Sequence, residues 1–288
     1  MILVTGAAGK TGKAVVHALV KAGLEIRALV HRSEQVEVLK ASGAVEVIHG
    51  DMLSENTLMH AAKGMQAVYH ICPNVNPDET ILGAFVIEAS RYAHVDHFVY
   101  HSVLHPQTEA MTHHWKKLQV EELLLESDLN FTILQPAAYM QNLLGYWNQI
   151  AQDHRYAVPY PVQTRLGLVD LEDVAAVAAI VLAEPQKHQS AIYELVGTVP
   201  LSQIDVAKVL SKYLGFTVQV EETSLDNWEK QARANDMQEY ALDTLVKMFK
   251  YYAKFGMGGN PNILTCLLGR NPVDLSGFVQ RTLQNLPL

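Results

Sequence analysis

The sequence predicts an α/β fold: a doubly wound parallel sheet carrying a smaller, mixed and mostly helical C-terminal lobe. Three observations predict it. Short aliphatic runs alternate with helical stretches from Met1 to Tyr146, the rhythm of parallel strands joined by right-handed crossovers. Three glycines fall between the first such run and the first helix. After Tyr146 the alternation loosens without a low-complexity linker. Residues 1–150 are therefore expected to form one domain, and residues 151–288 a lobe packed on it.

Ile2, Leu3 and Val4 read as a buried strand. Gly6 permits a tight turn after it. Gly9 leaves no side chain in the way of a diphosphate, and Gly12 lets the next helix lie close to the strand. That helix runs from Ala14 through Val20 to Gly23. Its free N–H groups and positive dipole end suit phosphate. Strand, glycine turn and helix in this order point to a dinucleotide-binding loop, although the spacing is GxxGxxG rather than GxGxxG.

The second strand is Glu25 to Val30, followed by His31 and Arg32. A site for NAD would place an acid at this strand end to take the ribose 2′-hydroxyl. Glu25 stands at the wrong end and Glu34 is expected in the next helix. Arg32 occupies the position instead, and a guanidinium fits a 2′-phosphate bidentately, so NADP is expected over NAD. The third strand, Val45 to Ile48, leads into His49-Gly50-Asp51-Met52. Asp51 suits the adenine amino group or the cap of a helix starting near Ser54, and Met52 suits the adenine ring.

The fourth strand, Ala67 to Ile71, is stopped by Pro73. Its end, with His70, Ile71 and Cys72, is expected to border the pyrophosphate and the nicotinamide ribose. Cys72 reads as a small apolar filler. A helix from Asp78 shows an apolar face of Ile81, Leu82, Phe85, Val86 and Ala89. The fifth strand, Phe98 to His101, runs into Ser102. A helix then opens at Thr112, and Phe131 to Leu134 make a sixth strand.

In the second half, Asp170 reads as an N-cap with Asp173 three residues on, before a helix from Val174 to Leu182. A strand at Ile192–Val196, a helix at Ser202–Leu214 and a strand at Thr217–Val220 follow. Helices are then expected over Leu225–Arg233 and Met237–Phe255. Trp228, Tyr240, Leu245, Met248, Phe249 and Tyr252 recur there at helical spacing, either as a packed face or as a pocket wall.

Composition sets the limits. The chain has 288 residues, 49% hydrophobic and 18% charged, with a net charge of −8, which argues against nucleic acid as a partner. No apolar run reaches membrane-spanning length. A strand beginning at Ile2 leaves no room for a targeting segment, and Cys72 and Cys266 form no CxxC pair, so a reduced cytoplasmic setting is expected. His101 and His105 lack the company a metal site needs.

Four stretches, TGAAGKTG, ALVHRSE, HHWKKLQVEELLLESDLNFTILQPAAYMQN and NILTCLLGRNPVDLSGFV, resemble the NmrA-like branch of the atypical short-chain dehydrogenase/reductases. The stretch VDLEDVAAVAAIVLAEP is similar to extended members of that superfamily. The resemblance implies that Thr5, Gly6, Gly9, Lys10, Thr11 and Gly12 cradle the pyrophosphate. It sets Arg32 on the 2′-phosphate, Asp51 and Met52 by the adenine, Lys117 on the nicotinamide ribose, and Tyr139 and Asn142 near the nicotinamide. Members include quinone and triphenylmethane dye reductases, phenylpropanoid reductases and redox-sensing regulators. An NADPH-dependent reductase of a small electron-poor acceptor such as a quinone is the expected function. A non-catalytic NADP-sensing regulator that binds a protein partner is the alternative. A monomer or homodimer is expected in either case.

The superfamily's catalytic pair, Tyr-x-x-x-Lys, is absent. In its register stands His113-x-x-x-Lys117, and an imidazole can donate a proton near neutrality. Ser102 is placed to supply a supporting hydroxyl. Alternatively, His113 caps the helix and Lys117 pairs with Glu121 one turn on.

Overall fold

The computed structural model describes residues 1–285. Six strands and five helices alternate at the start: β1 (Ile2–Val4), α1 (Lys10–Lys21), β2 (Ile26–Val30), α2 (Gln35–Ala41), β3 (Glu46–His49), α3 (Glu55–Ala62), β4 (Ala67–His70), α4 (Glu79–Tyr92), β5 (His97–His101), α5 (Thr112–Leu125) and β6 (Phe131–Pro136). α6 (Leu171–Ala183) and β7 (Ala191–Leu195) follow later in the chain. The sheet runs β7-β6-β5-β4-β1-β2-β3, and the pairs from β6 through β3 are parallel. β1 pairs with both β2 and β4, with Ile2 opposite Ile26 on one side and Ala67 on the other. The strand order reverses there, and in such sheets ligands lie outside the carboxyl ends of the strands at that reversal.

Leu3, Val68, Phe98, Tyr100 and Ile133 of the strands form a core with Leu58 of α3, Val86 of α4 and Val120 and Leu124 of α5. Val15, Val16 and Leu19 of α1 have no exposed surface. One expectation for α4 fails. Its buried stripe runs through Glu79, Leu82, Gly83, Val86, Ala89 and Ser90, and Ile81 is 49% exposed. At 100° per residue Ile81 turns off a stripe centred on Leu82 and Val86.

By contact density the chain divides into two units. The first comprises residues 1–109, 113–136 and 174–193, and the second residues 110–112, 137–173 and 194 onward. The second holds paired short strands, among them Ala138–Tyr139 with Leu168–Val169 and Arg155–Val158 with Gln219–Glu222. Its helix Gln203–Leu214 opens with a Ser202–Asp205 capping box. On its helix Glu239–Phe255, Phe249 meets Trp228 edge-on, Phe249 and Tyr252 both contact Tyr160, and Tyr240, Leu245 and Met248 are half-buried.

Asp170 and Asp173 are both fully buried. Asp170 caps α6 as expected, its Oδ1 accepting from the Glu172 amide at 3.0 Å, and it takes a further bond from Gln141 at 2.8 Å. Asp173 does not reach back to the cap. It accepts from Arg270 Nη2 and the Val273 amide, each at 2.6 Å, while Arg281 Nη2 lies 2.5 Å from Asp170. Two sequence stretches about 100 residues apart are thus tied together within the second unit by buried carboxylates.

Candidate functional site

Thr5, directly after β1, is fully buried. Its hydroxyl accepts from the Ile71 amide at 3.1 Å and lies 2.8 Å from His70 Nδ1, joining the ends of β1 and β4. Gly6 has φ of +59°, and a Cβ there would stand 2.6 Å from Ile71 O. A Cβ on Gly12 would stand 2.2 Å from Gly6 O. The protein's own packing therefore demands these two glycines. Gly9 is different: it is exposed, and a Cβ would meet only Gly6 O, at 3.4 Å. No side chain caps α1, and its first turn holds no acid. Lys10 starts the helix, its pKa lowered by partial burial, and Thr11 is half-buried. An uncapped, acid-free helix start beside an open glycine fits a diphosphate.

The two kinds of glycine separate in mutants. Gly12→Ala is expected to cost roughly 1–3 kcal/mol of stability through overpacking against backbone. Gly9→Ala is expected to leave the melting temperature unchanged and to weaken nucleotide binding. Thermal melts and titrations on both variants check this.

At the end of β2, Arg32 is exposed, and its guanidinium lies 3.5 Å from Glu34 Oε1. Glu34 is not within the helix as expected. α2 begins at Gln35, because the turn at Arg32–Ser33 closes first, and Glu34 shares that turn with Arg32. An exposed pair of this kind is worth little, so an incoming phosphate can replace it. Asp51 does not cap α3: its Oδ1 accepts from the Leu53 amide at 2.9 Å, and Ser54 caps the helix through the Thr57 amide. Met52 packs half-buried against the core.

At the end of β4 the His70 ring has no exposed surface, lies stacked on Tyr100 at 5.8 Å, and leaves Nε2 without a partner. Burial pushes its pKa down to about 4. Backbone and ring alike are enclosed, so His70 itself presents no surface to a ligand, against the expectation that it borders the pyrophosphate and the nicotinamide ribose. Ile71 and Cys72 are buried beside it, and burial together with Glu79 pushes the Cys72 thiol well above its usual range, so no thiolate forms.

Lys117 does not pair with Glu121. Its ammonium donates to Glu79 Oε1 at 2.8 Å and to the His101 carbonyl at 3.4 Å, above the Tyr100 ring. Tyr100 also donates to Glu79, at 2.9 Å. The Glu79 side chain is 4% exposed and that of Lys117 16%. Burial alone would raise the Glu79 pKa, but Lys117 and Tyr100 outweigh it and the carboxyl is held below its usual value. Glu121 instead accepts from Ser102 and, on both oxygens, from Gln135 at 3.0 Å. Burial raises its pKa. Ser102 is 2% exposed, its proton committed to that carboxylate.

His113 lies in the first turn of α5, edge-on to His114, with Nδ1 buried and unpartnered. Burial, His114 and Lys117 push its pKa down to about 3. It is a neutral imidazole at pH 7, so the expected imidazolium donor is not available there. In the second unit, Tyr139 is half-buried on strand Ala138–Tyr139 and Asn142 is exposed on the following short helix, Met140–Tyr146. Among the described residues no cluster of three or more His, Cys, Asp or Glu is placed to hold a metal ion, and no helix is long and apolar enough to cross a membrane.

A parallel sheet with reversed strand order, and a glycine turn feeding a helix at that reversal, define a Rossmann-type α/β protein. The chain belongs to the NmrA-like family, whose pattern it matches over residues 1–280. It is similar to the NAD(P)H azoreductase of Xenophilus azovorans, 30% identical over 251 residues that cover 86% of each chain. It is also similar to quinone oxidoreductase 2 of Escherichia coli, 25% identical over 281 residues and 97% of each chain. Among solved structures, the NADPH-dependent quinone oxidoreductase QOR2 of Escherichia coli complexed with NADPH superposes with a TM-score of 0.86 at 24% identity, covering 98% of this chain and 99% of the other.

Proposed function

We propose that the protein is an NADPH-dependent reductase that transfers hydride to a small, planar, electron-poor acceptor, of the quinone or azo class. The observation that carries the reading is the uncapped, acid-free start of α1 beside the open Gly9. The activities named for the azoreductase and quinone oxidoreductase relatives support it.

In this reading the glycine turn and the first turn of α1 hold the diphosphate. Arg32 exchanges Glu34 for the 2′-phosphate, Asp51 and Met52 serve the adenine, and Lys117 donates to the nicotinamide ribose. Bound NADPH supplies the hydride. The acceptor's negative charge is then met by water, because His113 is neutral and Ser102 is turned to Glu121. Acceptors of this class need orientation and exclusion of competing reactions more than an acid from the protein.

Absorbance at the nicotinamide band, followed with quinone and azo panels, tests the proposal, and NADPH oxidation with at least one acceptor is expected. Tight NADPH binding without turnover on any acceptor would point instead to a sensor. Cofactor preference is tested by Arg32→Ala. It is expected to weaken NADPH binding by roughly 2–3 kcal/mol and to spare NADH, as loss of a charge-assisted contact to the 2′-phosphate requires. Equal loss for both nucleotides would remove Arg32 from that role.

A further inference from the structure

We propose that Glu79 is the positioning residue of the nicotinamide-ribose site: from the first turn of α4 its buried carboxylate fixes the Lys117 ammonium at the end of β5. This rests on the reading that Lys117 serves a bound nicotinamide nucleotide. Lysine is a flexible four-carbon stem ending in a point charge, and it holds one place only when anchored. Here two elements supply the anchor. Glu79 Oε1 of α4 accepts from Lys117 at 2.8 Å, the same oxygen accepts from Tyr100 of β5 at 2.9 Å, and the His101 carbonyl at the end of β5 accepts from Lys117 at 3.4 Å. The Tyr100 ring closes the site from below, 5.4 Å from the ammonium.

The superfamily's phenol stands one helical turn before its lysine. No tyrosine of this chain stands there, and the lysine is fixed instead by an acid 38 residues earlier. A buried carboxylate with a single lysine partner and a neutral phenol leaves the pair without net charge. Two of the three Lys117 protons are taken by Glu79 and the His101 carbonyl, and the third has a fixed direction. A hydroxyl of a ribose is the ligand group such a donor reads.

Calorimetric titration of the folded parent, Glu79→Gln, Tyr100→Phe and Lys117→Gln with NADPH and with 2′,5′-ADP tests the assignment. The second ligand carries only the adenosine half of the dinucleotide. Glu79→Gln and Lys117→Gln are expected to bind 2′,5′-ADP as the parent does and NADPH about tenfold or more weakly, the loss of one charge-assisted hydrogen bond. Tyr100→Phe, which leaves the charges in place, is expected to show the same selective loss at smaller size, and it decides the matter if Glu79→Gln does not fold. The double variant Glu79→Gln/Lys117→Gln is expected to be no weaker than Lys117→Gln alone, because the two act as one unit. Parent-like NADPH binding by Glu79→Gln, or equal weakening of both ligands, would overturn the assignment. A parent that binds neither ligand would instead overturn the cofactor reading beneath it.

Discussion

Lowering the pH from 7 to 5 is expected to unfold the protein, before most carboxylates of the unfolded chain begin to protonate. Four histidines at the carboxyl end of β4, at the end of β5 and at the start of α5 are held neutral, chiefly by burial. His70 and His114 are pushed down to about 4, and His101 and His113 to about 3. An imidazole in the unfolded chain has a pKa of about 6.5. The folded values lie below the unfolded one, so below pH 6.5 the unfolded chain takes up protons that the folded chain refuses. The stabilisation is complete above about pH 6.5 and is lost as pH falls toward 4. At pH 5 each histidine has forfeited roughly 2 kcal/mol, and four together rival the whole stability of a typical domain, about 5–15 kcal/mol. Tryptophan fluorescence and circular dichroism during an acid titration are expected to show a cooperative transition between about pH 6 and 5. A stability to denaturant at pH 4 equal to that at pH 7 would show that these rings are protonated in place.

Arg281→Ala is expected to destabilise the second unit by about 3–5 kcal/mol, because it leaves the fully buried Asp170 without its cation. Gln141 and the Glu172 amide would still donate to that carboxylate, but neither brings a positive charge. Asp170→Asn in the same chain is expected to recover part of the loss, since it removes the uncompensated charge while keeping acceptors for both donors. Denaturant unfolding of the two single variants and the double variant measures this coupling. A loss below about 1 kcal/mol for Arg281→Ala would place the pair among surface contacts of little weight.

The sheet and the glycine turn were legible because their signals are local. A strand is announced by its own aliphatic run, and Gly6 and Gly12 by the turn they must make within a few residues. The anchors of the site were less legible because they are long-range. Lys117 has Glu121 one turn ahead, a pairing that helix spacing favours, yet its partner is Glu79, brought over from the start of α4 by the sheet. Glu121 is taken instead by Ser102 and by Gln135 of β6. Asp170 and Asp173 announced a helix start, and only folding reveals that Arg281 and Arg270, about 100 residues later, neutralise them. The spacing of His113 points to proton transfer, and burial, which spacing does not encode, decides its charge. Glu79 carries one readable hint: an acid in the first turn of the helix that follows β4.

All of these assignments are measured out from the glycine turn between β1 and α1. Titration calorimetry of the purified protein with NADPH and with NADH tests that anchor most directly. Saturable binding of NADPH at one site per chain, tighter than that of NADH, is the expected result. No measurable affinity for either nucleotide would contradict it, and both the reductase and the positioning role of Glu79 would go with it.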